Sequence, residues 1–161
     1  MIRHAVALSF VFTAALVFAA GPAHADADKA ACTVYEIQAS KGEGGIDKEL
    51  APLAKKLKKP PFSAWKTFKL LKKHDRTAVR MKAVTLTLVS GGKVTLLYRD
   101  LMENTKRKSK PRLRLSMTLD DKNGKRKLDL TIKLDSGDYH LIGSDATKDG
   151  TKILATTCSV K

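Results

Sequence analysis

Acidic residues are scarce in this chain: 16 Asp and Glu stand against 31 Lys and Arg, a formal charge of +15. The imbalance disfavours cationic partners and favours encounter with polyanions. Aromatic residues are few, 6% of the chain. Trp65, Phe62 and Phe68 therefore read as core material before they read as stacking platforms for nucleic-acid bases, and nucleic acid is the less favoured partner. Histidine and cysteine are rarer still, four and two. No HExxH, GxSxG or P-loop pattern is present, nor a GxGxxG between strand and helix, so the common routes to metal-assisted hydrolysis, acyl transfer and nucleotide binding are not signalled. His74 ends a basic stretch, and His140 falls beside Tyr139 on the outer face of an expected strand. Asp120 and Asp121 flank a turn, where Asp is expected for local hydrogen bonding. The expectation is no cofactor, no metal and no enzymatic activity.

Long apolar runs are absent except one. Arg3 precedes the stretch Ala5 to Ala20, which is followed by Gly21-Pro22 and then Ala23-His24-Ala25, a small-x-small cleavage pattern. Residues 1–25 are thus expected to be a cleaved signal peptide, and residues 26–161 a single β-rich domain in the periplasm or outside the cell. No transmembrane segment is expected in the mature chain. Lys29 occupies the place where lipidation of Cys32 would want an apolar residue. Only Arg3 leaves with the leader, so the positive excess is almost undiminished.

Cys32 and Cys158 lie near opposite ends of the mature sequence. In an oxidising compartment two such thiols pair, and no CxxC or nearby histidine points to a metal. A bridge makes the first and last strands neighbours.

Along the chain, Cys32 to Ala39 has the β-branched and aromatic content of a strand. Asp47 is placed to cap a helix with Leu50, Leu53 and Leu57 on one face. Pro52 argues that the regular helix begins near Leu50, and Pro60-Pro61 ends it. Trp65 to Leu71 fits a strand with Phe68 and Leu70 inward, or a short helix pairing Trp65 with Phe68, the strand being favoured. From Ala78 onward the pattern is an antiparallel meander. Gly91-Gly92 separates strands Val84–Val89 and Val94–Leu101, Asp149-Gly150 separates Tyr139–Ser144 and Ile153–Val160, and a phase shift at Ala83-Val84 suggests a bulge.

Asn123-Gly124 is the strongest hairpin signal. A two-residue turn there sets Leu119 opposite Leu128, Met117 opposite Leu130, Leu115 opposite Ile132 and Leu113 opposite Leu134, all facing the core. It also places Asp120 opposite Lys127, Arg112 opposite Asp135, and Arg114 opposite Lys133 on the outer face. The last pair is repulsive unless an anion or carboxylate covers it. Together with the basic run before it, this defines a candidate anion-binding set: Lys106, Arg107, Lys108, Lys110, Arg112, Arg114 and Lys133. The stretch Lys55 to Lys73 is a second basic region, interleaved with aromatics.

The stretch Ile37 to Leu71, with Tyr139 to Thr157, resembles an uncharacterised family of small exported bacterial proteins. The matching positions are Gly45, Ile46, Asp47, Leu50, Phe62, Ser63, Phe68, Leu70, Leu71, Leu141, Ile142 and Gly143. The resemblance implies export and a strand, helix, aromatic-strand start to a β-rich body. It carries no activity and no site residues, and the position of Pro52 and the lysine density depart from the pattern.

The combined expectation is an α+β fold, mostly β, an antiparallel meander or partly closed sandwich with one N-terminal helix. Its expected role is a non-enzymatic cationic envelope protein that binds an anionic surface, an acidic polymer or an acidic protein. The alternative is an enzyme or inhibitor acting on a cell-wall polymer.

Overall fold

Within each of two sheets, strands consecutive in sequence pair with one another, and the last strand pairs with the first. The computed structural model describes residues 28–102, 110–144 and 150–160; the expected signal peptide and Lys106, Arg107 and Lys108 lie outside them. Eight strands form two four-stranded antiparallel sheets. The first has β1 (Lys29–Ser40), β2 (Thr67–Val79), β7 (Tyr139–Ser144) and β8 (Gly150–Ser159) in the order β2-β1-β8-β7. The second has β3 (Ala83–Thr87), β4 (Lys93–Met102), β5 (Arg112–Asp120) and β6 (Arg126–Asp135) in sequence order. The fold is therefore α+β and mostly β, as expected: an up-and-down meander flattened into two sheets.

The sheets share one apolar interior. Ala30, Cys32, Val34, Leu154 and Cys158 of the first sheet meet Leu86, Val94, Leu96, Tyr98, Leu113, Leu115 and Met117 of the second. Cys32 and Cys158 face each other across the β1–β8 ladder with Cα atoms 4.1 Å apart, and are joined by a disulfide. The expected bridge and the adjacency of first and last strands are both present.

The β5–β6 hairpin has the expected apolar register from Leu113↔Leu134 to Leu119↔Leu128. Its turn differs. Gly124 N–H donates to the Asp121 carbonyl and Asp121 N–H to the Lys125 carbonyl, a three-residue turn ending on Gly124 at φ +80°, where a side chain would be strained. The Asp121 carboxylate also accepts the N–H groups of Asn123 and Lys125, each at 2.9 Å. The register shift beside Leu119 leaves Lys127 as the extra residue, so Asp120 pairs with Arg126 and not with Lys127. That bulge restores the apolar register which a two-residue turn would have given directly. Leu115 and Met117 are buried, whereas Leu130 and Ile132 on edge strand β6 are only half-buried.

Two further expectations are corrected. No bulge occurs at Ala83-Val84, since the β3–β4 register is unbroken there. The phase shift marks a corner instead: Met81 adopts φ +58° and donates its N–H to the Tyr98 carbonyl as the chain passes from one sheet to the other. The helix also starts differently. Pro52 lies inside a 3₁₀ segment, Lys48–Leu53, and regular α-helix is confined to α1, Ala54–Leu57. Proline removes a backbone donor and fits the tighter, shorter turns better than a helix interior. Leu50, Leu53 and Leu57 are nonetheless fully buried, packed on Tyr35, Ile37, Ala39 and Phe68. Burying each leucine stabilises by about 2 kcal/mol. The favoured strand reading after Trp65 holds, but β2 runs much farther, to Val79.

Replacing both Cys32 and Cys158 by Ala should lower unfolding free energy by up to about 5 kcal/mol, the chain-entropy value for so long a loop. Urea titration of the oxidised and double-mutant proteins checks this; equal midpoints would show that strand pairing alone closes the meander.

Candidate functional site

Antiparallel neighbours alternate in direction, so the β3–β4 turn, the β5–β6 turn, and the β1–β2 and β7–β8 strand ends share one end of the sandwich. A pocket of about 230 Å³ opens there. Its apolar wall includes Leu71, Leu88, Leu119 and Leu154, and Glu36 and Lys152 are among its polar lining. Gly92 allows its strands to close up: a Cβ there would meet the Asp120 carbonyl at 2.7 Å.

Glu36 is the polar group that composition did not reveal. On β1 it follows Cys32 and Val34 on the face toward the second sheet, and its side chain is 5% exposed. One carboxylate oxygen lies 2.7 Å from His74 Nε2, and the other accepts the Val89 N–H at 2.9 Å. His74, 6% exposed, comes from β2. The extra residue Leu71 shifts the register between Ile37↔Leu70 and Glu36↔Lys72, turning Lys72 and His74 onto the Glu36 face. The clue in the sequence was the alternation of Cys32, Val34 and Glu36, which places an acid where a core residue belongs and requires a buried partner.

A second concavity, about 520 Å³, lies where the 3₁₀ segment and α1 cross the start of β2. Residues 42–47 zip against β2: Phe68 N–H donates to Gly45 O, Asp47 N–H donates to Phe68 O, and Thr67 Oγ1 donates to Gly42 O. The Asp47 carboxylate accepts the Leu70 N–H at 2.7 Å. It forms no side-chain cap on the helix; it fastens the helix to the strand. Ala51, Ala54, Leu57, Trp65 and Phe68 supply the apolar lining, with Lys48, Lys58 and Lys66. Phe68 is buried, and Phe62 and Trp65 are partly buried against the same cluster, so these aromatics chiefly pack.

Of the candidate anion-binding set, Lys110 is exposed and Arg112, Arg114 and Lys133 lie on β5 and β6. Arg112 Nε is 2.5 Å from Asp135, and Arg114, opposite Lys133 as expected, has Asp100 of β4 at 3.3 Å. The covering carboxylate that this repulsive pair demanded is thus supplied by the chain itself. The cations of the helix layer differ: Lys48, Lys55, Lys58, Lys59 and Lys66 are exposed and take part in none of the ion pairs among the described residues. Lys56 is the exception, held by Asp138 at 2.8 Å and the Tyr139 carbonyl at 2.5 Å. His140 is half-buried on β7; burial, with Lys56 nearby, depresses its pKa.

Among the described residues no group of three or more His, Cys, Asp or Glu is arranged to hold a metal, and no helix is long and apolar enough to cross a membrane. Compared with protein-family models, with curated proteins and with solved structures, the chain matches none.

His74→Ala, which leaves a buried carboxylate without its partner, should cost on the order of 3 kcal/mol, while Glu36→Gln should cost less because the amide refills the site. Denaturant unfolding of both variants checks this, and equal costs would contradict it. Acid should also destabilise the fold. The Thr33 hydroxyl lowers the pKa of Asp75, the Lys125 N–H that of Asp121, and Arg112 that of Asp135. Carboxylates lowered in this way stabilise above their unfolded pKa and lose that contribution as pH falls below about 4. His140, a base with a depressed pKa, adds a loss beginning below about 6.5. Thermal midpoints measured from pH 7 to pH 3 should therefore fall monotonically; a rise would overturn the assignment.

Proposed function

We propose that the protein is an exported, non-catalytic binder of an anionic envelope component, either a surface or an acidic polymer, and that it engages that partner through the helix layer. The observation carrying this reading is the unequal compensation of charge. Arg112 and Arg114 already hold carboxylates, whereas Lys48, Lys55, Lys58, Lys59 and Lys66 stand exposed on the helix layer and its flanking turn and form no ion pair among the described residues. A cation already paired within the chain must give up that partner to bind another anion, and an unpaired exposed one need not. The disulfide supports an oxidising compartment, consistent with the leader-like residues 1–25.

Retention on immobilised polyphosphate should fall steeply between low and moderate salt through screening and counterion release. Changing Lys55, Lys58, Lys59 and Lys66 to Gln should shift elution to much lower salt. Changing Lys110, Arg112, Arg114 and Lys133 to Gln should shift it less. Equal shifts would reduce the effect to net charge, and salt-indifferent retention would remove the reading.

The enzyme alternative has one observation in its favour, the Glu36 carboxylate lining the mouth pocket with His74 behind it. Release of soluble fragments from purified peptidoglycan by the native protein, abolished in Glu36→Gln, would replace the binding reading.

A further inference from the structure

We propose that the concavity between α1 and the start of β2 is a binding site for a single-chain anionic amphiphile, with the aliphatic tail in the groove and the carboxylate or phosphate head at its lysines. This rests on the reading of the helix layer as the anion-binding surface and names the ligand class it takes. The lining combines two features that neither a polymer site nor a packing defect requires together. Ala51 and Ala54 keep the helix side shallow, so the partly exposed Trp65 and Ile46, backed by buried Leu57 and Phe68, line a concavity of about 520 Å³. Three exposed lysines, Lys48, Lys58 and Lys66, belong to the same lining, and none forms an ion pair among the described residues.

The acid in the lining does not fully compensate them. Asp47, held by the Leu70 N–H at 2.7 Å, offsets one of the three lysine charges and leaves the lining net positive. A neutral apolar ligand would leave that field unused, and a hydrophilic anion would leave the apolar surface wet. A tail with an anionic head satisfies both, by apolar burial and by charge complementarity. The groove is also built firmly enough to be preformed. Its strand side is tied by the Gly45–Phe68 and Asp47–Phe68 main-chain bonds, and its helix side is anchored through buried Leu50, Leu53 and Leu57. Lys56 ties the same helix to Asp138 and Tyr139.

Trp65 is the only tryptophan of the chain, so tryptophan emission excited at the red edge, where tyrosine does not absorb, reports on this groove. Titration of the full-length protein with laurate at monomeric concentrations should give a saturable blue shift, and dodecyltrimethylammonium should give little. Ala51→Phe, at an exposed position on the groove, should abolish the laurate response while leaving salt-dependent retention on polyphosphate intact. Lys58→Glu with Lys66→Glu should weaken laurate roughly tenfold and strengthen the cationic amphiphile. Far-UV circular dichroism verifies that each variant is folded. The proposal is overturned if laurate and dodecyltrimethylammonium act alike on the native protein, or if Ala51→Phe binds laurate unchanged. Loss of polyphosphate retention with laurate binding intact would remove the polymer reading and leave the groove; the reverse would remove the groove alone.

Discussion

The rest of the structure depends on the double burial of β1. This strand pairs with β2 on one side and β8 on the other, and both of its faces are covered. Ala30, Cys32 and Val34 enter the core between the sheets, while Tyr35, Ile37 and Ala39 meet the helix layer. A strand so placed cannot slip by one residue without exchanging two distinct sets of neighbours. The disulfide fixes the same register at Cys32↔Cys158, joining the ends of the meander. Glu36 is the exception on the inner face, and the local register shift of β2 brings His74 opposite the core to answer it.

That central strand divides the molecule into two unlike surfaces. Beyond the second sheet the outer face is polar and its arginines are largely paired: Arg112 with Asp135, Arg114 with Asp100, Arg126 with Asp120 and Asp129, while Lys93 and Lys133 there are exposed. Beyond the first sheet, the helix layer presents cations and a groove with few acids to match. Exposed ion pairs contribute little to stability individually, so the significance of the difference is not energetic. It determines which cations are available to something else, and on the helix layer these adjoin an apolar groove.

Much of the β architecture could be read from the sequence because alternation and turn chemistry are local. Leu113, Leu115, Met117 and Leu119 against Leu128, Leu130, Ile132 and Leu134 fix a register by themselves, and the Asn-Gly step locates the turn. The turn's length was misread because Asp121 makes two bonds that favour a type with one extra residue, which a bulge at Lys127 absorbs. The helix start was misread because Asp47 satisfies a donor 23 residues away, at Leu70, and not one on its own helix. Non-local pairings leave no local trace. The same applies to the site: the lysines were visible, but that Asp100 pairs with Arg114 while no described acid pairs with Lys58 or Lys66 depends on which elements adjoin.

The most direct test of the account is amide hydrogen exchange of the full-length protein with and without polyphosphate at low salt. Protection should appear across Lys48–Lys66 and at the start of β2, and be absent from β5 and β6. Protection confined to the segment around Lys110, Arg112 and Arg114 would contradict the assignment of the helix layer as the binding surface.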